Sequence, residues 1–142
     1  MLFRSEAVNE TAIVMDLEVL AQGGGGPSIP AILDLARRYP DVRIVLDHLL
    51  EPEMDEGEHF GLDARYEQLA GHERIFLKFT SINLDICREA GIPADRVLRR
   101  AVDLFGADHL MWGSDIGTSS GTYADMVQRM VDRKSTRLNS SH

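Results

Sequence analysis

Val42-Arg43-Ile44-Val45-Leu46-Asp47-His48 is the stretch on which the fold turns. Its centre is apolar and β-branched, without the strict polar alternation of a strand that has one wet face. That pattern suits a parallel strand buried on both sides. The run then stops on a carboxylate and an imidazole. Three other segments share its character: Ala12-Ile13-Val14-Met15-Asp16-Leu17, Ile75-Phe76-Leu77-Lys78-Phe79 and Leu110-Met111-Trp112-Gly113. Each is bounded by Gly, Pro, Asp or Asn, as strands are. Successive starts lie about 31 to 35 residues apart, room for the helical crossover that a parallel strand needs.

The intervening sequence supplies helices. Ser28 is placed to cap one that carries Pro30 in its first turn, with Ile29, Ile32, Leu33 and Ala36 as its stripe and Pro40 at its end. Leu62, Tyr66 and Leu69 mark a shorter helix. Pro93 opens another, with Val97, Ala101, Leu104 and Phe105 inward and Gly106 as its C-terminal cap. Tyr123, Met126, Val127 and Met130 fit one more. The chain reads as (βα)4, entered through a stub at residues 1–11. Two architectures accept four βα units, a small doubly wound sheet or half of a (β/α)8 barrel, and both put function at the C-terminal ends of the strands.

Composition narrows the functional classes. The 142 residues suffice for one domain, and 44% hydrophobic with 27% charged is ordinary for a globular protein. A net charge of -8 disfavours nucleic acid as a partner. No apolar run is long enough for a membrane span or a signal peptide. Cys87 is the only cysteine, so no internal disulfide forms, and a reducing cytoplasmic location is expected. Residues 132–142 carry no apolar face and resemble one reading frame of a sequencing adapter; they are expected to be an artefactual or disordered tail, leaving 1–131 as the domain.

The residues that could carry chemistry lie at the strand ends. Asp16 and Glu18 follow the first strand, Asp47-His48 the second and Gly113-Ser114-Asp115 the fourth, while Lys78 is near the end of the third. Asp115 could accept a proton from water, and His48 could polarise a carbonyl or move a proton. Each also has a plainer reading, as a satisfied structural histidine, a turn-capping aspartate or a lysine snorkelling to solvent. His59, His72 and His109 read as surface or turn residues, and Cys87 as a packing residue. Gly23-Gly24-Gly25-Gly26 lacks the spacing and lysine of a phosphate-binding loop and reads as a flexible loop or substrate lid.

The stretches from Leu35 to His48, from Ile75 to Thr80 and from Phe105 to Asp115, the last ending Gly-Ser-Asp, resemble strands six, seven and eight of the amidohydrolase-related family of TIM-barrel metal-dependent hydrolases. The likeness runs from about residue 12 to 131, in the right order and spacing. It implies the C-terminal half of a barrel, strands five to eight, and not a doubly wound sheet. It makes His48 and Asp115 the catalytic pair, with Asp115 also a metal ligand, and leaves Lys78 and Asp16 to meet substrate. The resemblance implies a divalent metal such as zinc, but it extends in part to lactonases that work without one; the strand-five histidine is absent here, and Asp16 or Glu18 could replace it as an oxygen ligand. The family's strand-one His-x-His pair is not in this sequence. The expected activity is cleavage of a lactone, amide or similar carbonyl in a small, anionic metabolite. A non-oxidative decarboxylase on the same scaffold, an inactive (βα)4 fragment or a binding module stay open, as does a homo-oligomer.

Overall fold

The computed structural model describes residues 14–18, 24–54, 57–117 and 121–139. Four parallel strands form one sheet in the order of the chain: β1 (Val14–Leu17), β2 (Arg43–Leu46), β3 (Ile75–Thr80) and β4 (Leu110–Gly113). The helices between and after them are α1 (Ile29–Arg38), α2 (Ala64–Glu67), α3 (Ser81–Ala90), α4 (Ala94–Phe105) and α5 (Tyr123–Asn139). The expected strands are all present; residues 12 and 13 of the first, and the stub at 1–11, lie outside the described residues.

Register explains where the core sits. Met15 pairs with Ile44, Ile44 with Ile75, Leu46 with Leu77, and Leu77 with Leu110, so these side chains share one face. That face packs into a single cluster with Ile29 and Ile32 of α1, Leu84 and Cys87 of α3, and Val97, Ala101 and Phe105 of α4. Val45 projects the other way and is no member of the cluster. A doubly wound sheet would be covered on both faces and its strand order would reverse. A sequential order with the core on one face is instead an arc of a (β/α)8 barrel, whose uncovered face is the barrel interior.

Local chemistry accounts for the helix ends. Pro30 occupies the first turn of α1, where its missing N–H costs nothing. Ser28 stands at the N-cap as expected but caps nothing, because its hydroxyl donates to the Gly25 carbonyl at 2.6 Å. Gly106 (φ 84) ends α4 in a conformation that suits glycine. α3 was not expected. It starts directly from the last residue of β3 without a glycine or proline to mark the change, and Thr80 with Asn83 forms its reciprocal cap. The backbone of α5 runs on to Asn139, into the segment expected to be an artefactual or disordered tail. No helix among the described residues is long and apolar enough to cross a membrane.

Candidate active site at the strand ends

Beyond β2 the chain enters an unusual turn. His48 (φ 50), Leu49 (φ 57), Leu50 (φ 58) and Glu51 (φ 42) are all left-handed, and none is glycine. Each such residue costs about 1–2 kcal/mol relative to the right-handed form, so the surroundings must hold the turn in place. Leu49 and Leu50 are anchored in the core. Three hydrogen bonds from distant elements grip the backbone: Gly25 N–H to Glu51 O, Tyr66 O–H to Leu50 O, and Asn83 Nδ2–H to His48 O, each 2.9 Å. Burial raises the Tyr66 phenol above its ordinary pKa, which keeps it a donor.

The glycine run is part of this grip. A Cβ on Gly24 would lie 2.5 Å from Glu51 O, and one on Gly25 2.2 Å from Leu50 O. Both distances are too short for any side chain, so Gly24 and Gly25 permit a backbone contact. The flexible-lid expectation is therefore corrected at Gly24–Gly26; Gly23 lies outside the described residues.

The turn delivers His48 to the rim with only 3% of its surface exposed. Its Nδ1 is 2.8 Å from Thr80 Oγ1. Its Nε2 faces the carboxylates, 3.5 Å from Glu18 Oε1 and 3.9 Å from Asp115 Oδ2. Asp115, two residues past β4, is itself left-handed (φ 50). Glu18, His48 and Glu51 each offer a ligand atom within 4.8 Å of the others. Two carboxylates and an imidazole form a donor set suited to a divalent ion. Asp115, the ligand the family resemblance implies, is not in this trio but borders it through His48. Glu18, not Asp16, is the first-strand carboxylate that reaches the histidine.

Lys78 and Asp16 belong to a second charged group, seated deeper on the same face. Lys78 Nζ lies 2.6 Å from Asp16 Oδ2 and 2.8 Å from Asp47 Oδ1. Burial pulls the Lys78 pKa down, but the hydrogen bonds and charges of the two aspartates outweigh it, and the net shift is upward. The ammonium is thus engaged by the protein itself, and the substrate contacts expected of Lys78 and Asp16 would require opening one of these pairs.

Other expectations resolve plainly. His109 lies in the 3-10 turn Ala107–His109 before β4, as a turn residue should; it is partly buried, its ring stacks on Phe76 at 4.9 Å, and its Nδ1 donates to Ile75 O at 2.8 Å. Cys87 is buried against Met54. An apolar cavity of about 540 Å3 lies elsewhere, between Phe79, Leu98, Val102, Trp112 and Met130, and among the described residues no ionisable one lines it. The sequence reading missed Glu51, Thr80 and Asn83. A Thr-x-x-Asn spacing after a strand was a usable signal for the last two; Glu51 had none, because only the left-handed turn brings it back to His48.

Comparison with known proteins agrees with this architecture. The sequence model of the amidohydrolase family matches residues 16–127. L-fucono-1,5-lactonase from Burkholderia ambifaria is 34% identical over 104 residues, which are 68% of this chain and 34% of that protein. A zinc-bound amidohydrolase structure from Burkholderia multivorans superposes with a TM-score of 0.61 at 22% identity, over 86% of this chain and 45% of that one. A putative 2-pyrone-4,6-dicarboxylic acid hydrolase from Pseudomonas putida gives 0.62 at 20%, over 87% and 44%. The chain spans about a third of the curated relative and under half of either solved structure. The family match takes in both charged groups, from Asp16 through His48 to Asp115, and by it this chain belongs to the amidohydrolase family.

Proposed function

We propose that the protein to which this chain contributes hydrolyses a lactone or a similar carbonyl in a small metabolite, at the rim formed by His48, Asp115 and Glu18. The observation that carries the reading is a nearly buried imidazole whose Nε2 lies 3.9 Å from the Asp115 carboxylate at the C-terminal ends of parallel strands. The printed activities of the lactonase and pyrone-dicarboxylic acid hydrolase relatives support a ring ester as substrate.

Asp115 takes a proton from water as the water oxygen attacks the carbonyl carbon. The ring C–O bond then breaks, and the same proton passes to the departing oxygen, leaving a hydroxy acid. His48 stands beside Asp115 with Nε2 facing the carboxylates, placed to accept and pass on a proton. Glu18, His48 and Glu51 would hold a divalent metal such as zinc, which when bound acidifies water and polarises the carbonyl. An anionic substrate would have to be met by groups other than Lys78, or by Lys78 released from one aspartate.

Ring opening of sugar-acid and pyrone lactones by the intact enzyme, followed by pH-stat before and after chelation and zinc add-back, tests this reading. Lactone hydrolysis that falls on chelation and returns with the ion is the expected result. A folded enzyme inert toward every lactone and amide offered would overturn it.

A further inference from the structure

We infer that the cap of α3 sets the tautomer of His48, making Thr80 and Asn83 positioning residues that hold Nε2 unprotonated and open toward Glu18 and Asp115. The inference rests on the proposed role of His48 and specifies the form in which that imidazole works.

Donor and acceptor bookkeeping fixes the Asn83 amide and leads from it to the histidine. The Thr80 backbone N–H donates to the Asn83 side chain at 2.9 Å, and only the amide oxygen can accept, so this atom is Oδ1. The other end of the amide is then Nδ2, which donates to His48 O at 2.9 Å, and a carbonyl can only accept. Both ends of the amide therefore agree on one orientation. Thr80 Oγ1 accepts the Asn83 backbone N–H and lies 3.2 Å from the same Oδ1, and the hydroxyl proton is assigned to that amide oxygen, the other possible acceptor being His48 Nδ1 itself. With its proton committed there, Thr80 Oγ1 meets His48 Nδ1 at 2.8 Å as an acceptor. On this assignment Nδ1 carries hydrogen. In the neutral ring Nε2 then bears the lone pair, on the side where Glu18 and Asp115 stand at 3.5 and 3.9 Å.

Thr80, Asn83 and His48 are 2%, 0% and 3% exposed, so water does not compete for these bonds. Asn83 acts twice: one end orders the Thr80 hydroxyl, and the other grips the carbonyl of the strained residue that carries the imidazole. An imidazole fixed through its far nitrogen is oriented as well as tuned, and loss of such an orienting partner typically costs about 10–100-fold in activity or metal affinity.

Long-range 1H–15N correlation of the imidazole in the metal-free full chain, at a pH where His48 is neutral, reads the tautomer directly. Expected are a protonated Nδ1 and an unprotonated Nε2. Thr80→Val keeps the shape but removes the acceptor, and should move the ring toward Nε2–H; Thr80→Ser should restore the original pattern. Asn83→Asp keeps the oxygen that orders Thr80 and should retain the tautomer. In the intact enzyme Thr80→Val should lower kcat by about 10–100-fold, and Thr80→Ser should recover it. A wild-type His48 protonated on Nε2, or a Thr80→Val ring identical to wild type, overturns the inference. The wild-type spectrum decides even if the valine variant fails to fold. It is recorded without substrate, so a wrong tautomer sinks this inference alone, whereas an absence of lactone hydrolysis with Nδ1–H observed sinks the proposed function alone.

Discussion

Two charged groups share the open face of the sheet, and they are built in opposite ways. In the deeper one Lys78 meets Asp16 and Asp47 at 2.6 and 2.8 Å, a closed set with donors on acceptors. In the outer one Glu18 and Asp115 stand 3.5 and 3.9 Å from His48, with Glu51 close by, and acidic groups outnumber the single imidazole. Short contacts with opposed charges hold strands together. Longer contacts with surplus negative charge leave room for a proton, a cation or a reacting carbonyl. The contrast fits a structural role for the first group and the proposed chemistry at the second.

The comparison can be broken most sharply at Asp115. Asp115→Asn in the intact enzyme should reduce turnover by about 10²–10⁴-fold, with melting temperature nearly unchanged. Retained turnover would remove Asp115 from the role of base.

Gly25→Ala comes next. Its new Cβ would meet Leu50 O at 2.2 Å, so a stability loss of about 1–3 kcal/mol is expected in denaturant unfolding. The displaced turn should carry His48 with it and lower turnover as well. An alanine variant as stable and active as wild type would show that the turn is not gripped by the glycine run.

Lys78→Met leaves Asp16 and Asp47 without their common partner. Both pairs are partly solvated, so the expected loss is about 1–2 kcal/mol of stability, below that of a fully buried pair. A loss of turnover at unchanged stability would instead make Lys78 a substrate ligand and dissolve the division between the groups. The same lysine predicts an alkaline limit. Its pKa is raised by folding, so its contribution is complete below the ordinary lysine value of about 10.4 and is lost as pH rises through the folded value. Unfolding free energy should fall in that range for the wild type, with this component absent in Lys78→Met.

The smallest effect is expected on the outer surface of α1. Arg38 pairs with Asp34 at 2.7 Å, but its side chain is 70% exposed. Arg38→Ala should change stability by less than about 0.5 kcal/mol. A larger change would mean that closeness alone, without burial, decides which charged pairs matter here.

Much of the architecture was legible in the residues because its signals are local. Ile44, Val45 and Leu46 declare a buried strand, and Pro30, Pro93 and Gly106 mark helix ends by what their backbones permit. His48 and Asp115 were legible as strand-end polar residues. α3 was hidden because it follows Thr80 with no breaking residue, leaving only the Thr80–Asn83 spacing as a sign. The pairing of Lys78 with Asp16 spans 62 residues and depends on register across three strands. Glu51 was invisible for a further reason: Leu49, Leu50 and Glu51 have no intrinsic preference for positive φ. The glycine run misled because a sequence shows a missing side chain without showing whether solvent or another backbone fills the space.

The left-handed turn also has a consequence for the order of assembly. Its own four residues oppose the conformation they adopt, and its fasteners come from Gly25, Tyr66 and Asn83, contributed by three other parts of the chain. It cannot nucleate, and it closes only after the strands and helices around it have docked. By the same logic it is the segment most easily released when that docking loosens. Amide exchange at Glu51, whose N–H reaches only the His48 carbonyl within the turn at 3.0 Å, would therefore time the arrival of the imidazole at the rim.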